Sequence, residues 1–141
     1  MVESASKNGA VTIHVRCNDT DVFVLLCHFK HALNISANIF MVPLSQKMKP
    51  IDVNQTVVTH KNIIPHLLSM HAITGCDTVS KLHGIGKITA LTALKGGHFP
   101  PPLGDLNVPH EDLVKKGSSF IGVCYGNPSS LTSMSEHRFQ K

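Results

Sequence analysis

Hydrophobic and polar residues alternate along this chain with two different periods, and the changes between them mark out its elements. In "VTIHVR", Val11, Ile13 and Val15 alternate with Thr12, His14 and Arg16, the period of a half-buried strand. After "CNDTD" the apolar residues fall at Val22, Leu25, Leu26, Phe29 and Leu33, one face of a helix, with Asp19, Thr20 or Asp21 available as its N-cap. "NIFMVPL" has the β-branched and aromatic content of a second strand, and "KPIDV" predicts a third. From Thr59 to about Thr74, residues Ile63, Ile64, Leu67, Leu68 and His71 recur at helical spacing. Gly75 is a natural stop, and Pro65 predicts that this helix starts or kinks there. A short helix is predicted around Val79 to Leu82, then the turn "GIG", then a helix carrying Ile88, Ala90, Leu91, Ala93 and Leu94.

The rest of the chain divides by composition. Residues 1–10 are small and polar, which predicts a disordered start, and residues 97–109 are a Gly- and Pro-rich loop. A last helix is expected from His110 with Leu113, Phe120, Ile121 and Cys124; "YGNPSS" ends it, and "LTSMSEHRFQK" could begin another in a C-terminal helical extension over 110–141. Nothing repeats internally. Strands alternating with helices predict an α/β layered fold with a small, mostly parallel sheet, helices dominating the second half.

Length and composition narrow the class. A chain of 141 residues with 42% hydrophobic content is sized for one domain with a core of its own. No apolar run reaches spanning length, so a soluble, intracellular protein without membrane association is expected. Cys17, Cys27, Cys76 and Cys124 show no CxxC spacing, which predicts reduced thiols rather than a disulfide framework or zinc ribbon. The formal charge of +4 fits a nucleic-acid partner without requiring one.

Candidate chemistry concentrates in two places. Asp19 and Asp21 lie where a strand gives way to a helix; residues two apart in extended backbone point the same way, so both carboxylates could face one cleft and share a divalent cation. They could equally cap the helix. Asp77 follows an apolar helix, where a negative charge meets the unfavourable end of the helix dipole; a cation would compensate it, or it could cap the next short helix. In "LHGIGKITALTAL", Gly84 and Gly86 allow a tight turn whose bare amides could approach a phosphate, with Lys87 adding charge; a plain turn between packed helices is the alternative. This is not a nucleotide-binding P-loop, because Lys81 and Ile88 occupy the positions that need glycine and a hydroxyl residue. Cys27, His28 and His31 in "CHFKH" would need further ligands placed by the fold to form a zinc site, so zinc is the lesser alternative. Cys76 and His71 are expected to pack rather than react, and His14 lies on the strand face opposite the Val/Ile set.

Taken together, "NDTDVFVLL", "LLSMHAITGCD" and "LHGIGKITALTAL" resemble the internal region of the flap-endonuclease-like, XPG-type PIN-domain nucleases, nearest to PIN-like proteins of animal genomes with a mobile-element character. The likeness runs over Val11 to Leu94 and continues weakly through "EDLVKKGSSFIGVCYG". It implies a partial PIN-like region over 11–96, with a helix-hairpin-helix around 79–95, and an acidic cluster binding two Mg2+ or Mn2+ ions that hydrolyse a DNA phosphodiester in the nucleus. Asp19, Asp21 and Asp77 match the metal-associated aspartates. Gly84, Ile85, Gly86 and Lys87 match the hairpin that holds duplex backbone, sometimes with a monovalent cation. The family's earlier acidic residues have no counterpart, since Glu3 does not match them, so an incomplete active site and a truncated chain are expected. The resemblance leaves a second expectation beside the nuclease: a non-catalytic remnant that binds nucleic acid or protein.

Overall fold

A computed structural model describes residues 1–45, 47–76 and 79–126. The chain is α/β, with element order α1 (Val2–Lys7), β1 (Thr12–Arg16), α2 (Thr20–Ala32), β2 (Asn38–Val42), β3 (Ile51–Asp52), α3 (Val53–Thr59), α4 (Ile64–Ile73), α5 (Lys87–Lys95) and α6 (His110–Cys124). It forms two compact units, one ending at Leu68 and one beginning at Ser69, with α4 running through the boundary.

The first unit holds the sheet, in strand order β1-β2-β3. β1 and β2 are parallel, with Ile13 beside Ile39 and Val15 beside Met41; β2 and β3 are antiparallel, with Phe40 beside Asp52. The sheet is therefore mixed rather than mostly parallel, because the short segment between Val42 and Ile51 folds back instead of crossing over. The alternation in β1 places Ile13 and Val15 against a core of Leu26, Cys27, Ile35, Ala37, Ile39, Met41, Val53 and Ile64. Thr12, His14 and Arg16 are exposed, and His14 packs edge-on to Phe40 with ring centroids 5.6 Å apart.

Caps set the helices of this unit. Asp19 starts α2 and Asp52 starts α3, the latter accepting from the Gln55 N–H at 3.0 Å and from the Asn54 side chain at 3.0 Å. The Gln55 amide holds the Asp52 carboxyl below its ordinary range. After α2 the chain turns through Asn34 in the left-handed region (φ 46°), and the Lys30 ammonium fastens that turn by donating to the carbonyls of Ile35 and of Ala37, the latter at 2.8 Å. Burial lowers the Lys30 pKa, as expected for an ammonium taken partly out of water. The Cys27 thiol, buried in the core, is pushed up to about 11 by the same desolvation.

Several expectations need correction. Residues 1–10, expected to be disordered, carry α1, closed by a Lys7–Glu3 ion pair at 2.6 Å one turn apart. The helix expected between Thr59 and Thr74 starts beside Pro65, one of the two outcomes that residue predicts: α3 ends at Thr59, the chain turns on bonds from Ile63 and Ile64 to the His60 carbonyl, and α4 starts at Ile64. Pro65 thus falls in the first turn of α4, where its missing N–H has no partner to lose.

In the second unit, Ala90, Ala93 and Leu94 of α5 and Phe120, Gly122 and Cys124 of α6 are buried. The 97–109 loop is irregular as expected, yet Pro101 is fully buried and the Leu103 N–H bonds the Ser69 hydroxyl at 3.2 Å. No helix forms over Val79 to Leu82: Val79 pairs with Cys76 in an isolated bridge, and the next helix begins at Lys87. The helix-hairpin-helix expected around 79–95 is therefore an irregular loop leading into a single helix, with Val79 held in the bridge to Cys76 rather than in a helical turn. All four cysteines are free, Cys27 and Cys124 buried and the other two partly so. No helix among the described residues is long and apolar enough to cross a membrane. The helix expected from "LTSMSEHRFQK", and with it the end of the 110–141 extension, lies outside the described residues.

Candidate functional site

The acidic pair sits in the first unit, just beyond the C-terminal end of β1. Backbone pairing persists to the Cys17 N–H, which bonds the Val42 carbonyl at 3.1 Å. The Asn18 side chain then accepts from the Leu44 N–H at 2.8 Å, tying the exits of β1 and β2 together. Asp19 is extended (φ −81°, ψ 126°), its own N–H meets the Cys17 sulfur at 3.3 Å, and its Oδ1 accepts the Asp21 N–H at 2.8 Å. The helix has begun at Thr20, so Asp21 belongs to its first turn. The extended-backbone reason for aligning the two carboxylates therefore fails at Asp21. What links the two residues is the capping turn, which places both at the favourable pole of α2.

Asp19 is exposed and Asp21 half-buried. Their donor set is two hard oxygen groups, which fits a hydrated Mg2+ or Mn2+ held through few carboxylates and several waters. Among the described residues no group of three or more His, Cys, Asp or Glu side chains converges as a metal site. Asp77 lies outside the described residues. In "CHFKH", Cys27 is buried in the core and His28 packs edge-on to Phe29 with centroids 5.2 Å apart, and no group of three metal-ligating side chains forms there among the described residues. His71 is buried, as its place on the apolar helix face predicts.

The basic loop belongs to the second unit and is built around Gly75. This residue has φ +88°, and a Cβ there would lie 2.6 Å from the Lys81 Cα, so both the backbone conformation and the close approach require glycine. Cys76 and Val79 exchange backbone bonds of 3.0 and 3.2 Å. Thr74 donates its hydroxyl to the Met70 carbonyl at 2.9 Å at the end of α4. Across the loop, the Lys87 ammonium donates to the Gly75 carbonyl at 2.6 Å.

The "GIGK" segment divides by role. Gly84 is left-handed (φ +77°), Ile85 is 4% exposed and anchors the turn in the interior, and Gly86 is the exposed N-cap of α5, with no side chain to satisfy the first amides of the helix. A second fastening arrives from the end of α6, where the Tyr125 hydroxyl donates to the His83 carbonyl at 2.6 Å. Both fastenings escape a reading of local spacing, because each joins a side chain to a carbonyl distant in sequence. A basic residue near a glycine exit was the only available signal.

Compared with protein-family models, with curated proteins and with solved structures, the chain matches none.

Proposed function

We propose that this chain derives from an XPG-type, flap-endonuclease-like PIN nuclease and that its ligand is DNA. The observation that supports this reading is the position of Asp19 and Asp21 at the C-terminal end of a strand in a parallel pair, the edge where α/β folds gather ligands. In this reading Asp19 and Asp21 are ligands for a divalent metal in phosphodiester hydrolysis, and the resemblance gives Asp77 a metal-associated role as well. Asp19 keeps one oxygen on the Asp21 amide and turns its remaining lone pairs outward, so capping and cation binding are compatible. A bound Mg2+ or Mn2+ supplies a polarised water and neutralises charge at the phosphate. The amides at the start of α5, beside Gly84 and Gly86, offer donors to the DNA backbone. Lys87 and a monovalent cation at the loop add positive charge in the same reading.

A second reading, a DNA-binding or protein-interaction module without chemistry, draws on a specific observation. Asp19 already has a structural role as the cap of α2, its Oδ1 accepting the Asp21 N–H. One set of assays separates the two. Flap and single-stranded DNA are incubated with Mg2+ or Mn2+, and the nuclease reading expects cleavage that falls to background in Asp77→Ala. Metal-independent or mutation-insensitive cleavage removes it. Salt-sensitive binding without cleavage, with a salt slope reduced by roughly one in Lys87→Glu while the variant stays folded, establishes the second reading.

A further inference from the structure

We propose that the outer edge of β1 pairs antiparallel with the same edge of a second copy of this chain, with His14 on the two-fold axis. The inference stands apart from the nuclease reading. It begins with β1 as an end strand of the sheet. The Asn38 N–H bonds the Val11 carbonyl at 2.8 Å and the Cys17 N–H bonds the Val42 carbonyl at 3.1 Å, which directs the odd-numbered residues of this segment toward β2. The N–H and C=O groups of Thr12, His14 and Arg16 therefore point away from the sheet, and among the described residues no backbone bond reaches them. All three residues are exposed. The strand carries neither proline nor a bulge, and its one charged side chain, Arg16, lies at its end, where the pairing described next sets it opposite a threonine rather than a like charge.

The sequence of this edge is complementary to itself. Centring an antiparallel pair on His14 sets Thr12 opposite Arg16 of the second copy and His14 opposite His14. Hydrogen-bonded positions in an antiparallel ladder recur at every second residue, so every outward N–H and C=O at 12, 14 and 16 finds a partner. The same register puts Ile13 opposite Val15 of the second copy and Val11 opposite Cys17. These four share the core-facing side of the strand and extend its apolar row across the axis. Val11 is 75% exposed in the single chain, an otherwise unexplained position for a β-branched apolar residue beside a core strand. A closed two-fold pairing uses each free edge once and leaves no further β1 edge to propagate. A contact of one short strand covers less than the roughly 800 Å2 per partner of a stable complex, so a weak, concentration-dependent dimer is expected.

Sedimentation velocity over rising concentration tests the proposal on the full chain, with backbone hydrogen exchange on the same samples. The expected result is a shift from one chain mass to two, with the Thr12, His14 and Arg16 amides gaining protection as the dimer forms. His14→Pro removes the central donor on a side not used by β2 and is expected to keep the protein at one chain mass. His14→Lys leaves that donor in place but sets two ammonium groups opposite one another, and is expected to weaken the dimer without disturbing the circular dichroism of the monomer. A wild-type protein of one chain mass at every concentration overturns the proposal. So does a dimer that persists in both variants, or a ladder of species beyond two.

Discussion

The two units achieve order by different means. In the first, apolar faces meet in one core, and helices α2 and α3 start on acidic caps two or three residues from the amides they serve. In the second, α5 and α6 begin at Gly86 and Pro109 without side-chain caps, and loop geometry is fixed by the Lys87 ammonium on Gly75, the Tyr125 hydroxyl on His83 and the Leu103 amide on Ser69. The difference bears on function because the candidate residues of both units have structural work already assigned. Asp19 is a cap and Lys87 a clasp. A loss of activity on deleting either would not identify a ligand, and only substitutions that separate the two roles are informative.

The largest separation is expected at Gly75. Gly75→Ala places a Cβ against the Lys81 backbone at a positive φ and should lower stability by about 3 kcal/mol, read from the urea midpoint. Gly97→Ala, at φ +85° in open space, bears only the conformational cost of about 1 kcal/mol. Equal losses would show that the approach of Lys81 to Gly75 does not organise the loop. A smaller effect, about 2 kcal/mol, is expected for Lys87→Met, which keeps the aliphatic stem but leaves the Gly75 carbonyl without its charged donor. If stability falls while the salt dependence of DNA binding stays the same, Lys87 is a clasp alone; a salt slope reduced by roughly one gives it a phosphate as well. The smallest effect is at Asp19. Asp19→Ala should cost about 1 kcal/mol through the lost cap, and Asp19→Asn only a few tenths. Mg2+ affinity that falls in Asp19→Asn while stability holds would assign the carboxylate a ligand role; unchanged affinity would leave it a cap.

The same contrast explains which elements could be read from sequence. β1, α2 and β2 were legible because their periods and their cap are local, and the structure places them within a residue or two of the expected bounds. Helix α3 was not. Val53, Thr56, Val57, Val58 and Thr59 are β-branched and read against a helix, yet the Asp52 cap, the Thr56 hydroxyl on the Asp52 carbonyl at 2.8 Å and the full burial of Val53 hold one. At Val79 and Leu82 the error ran the other way, since helical spacing was present but the Cys76 bridge and the packing of Lys81 on Gly75 prevailed. For the candidate site, the junction of Asp19 with a helix was visible, whereas the choice between strand and cap geometry depended on where α2 starts. The clasp on Gly75 joins residues 12 apart and has no periodic signature.

The Tyr125 contact also gives the protein a built-in optical probe. The chain has no tryptophan and a single tyrosine, so emission excited beyond the absorption of its phenylalanines comes from one phenol, and that phenol is bonded to the carbonyl just before the "GIG" turn. Any ligand, salt or substitution that loosens the turn will alter that emission directly, without a label and without interference from the first unit.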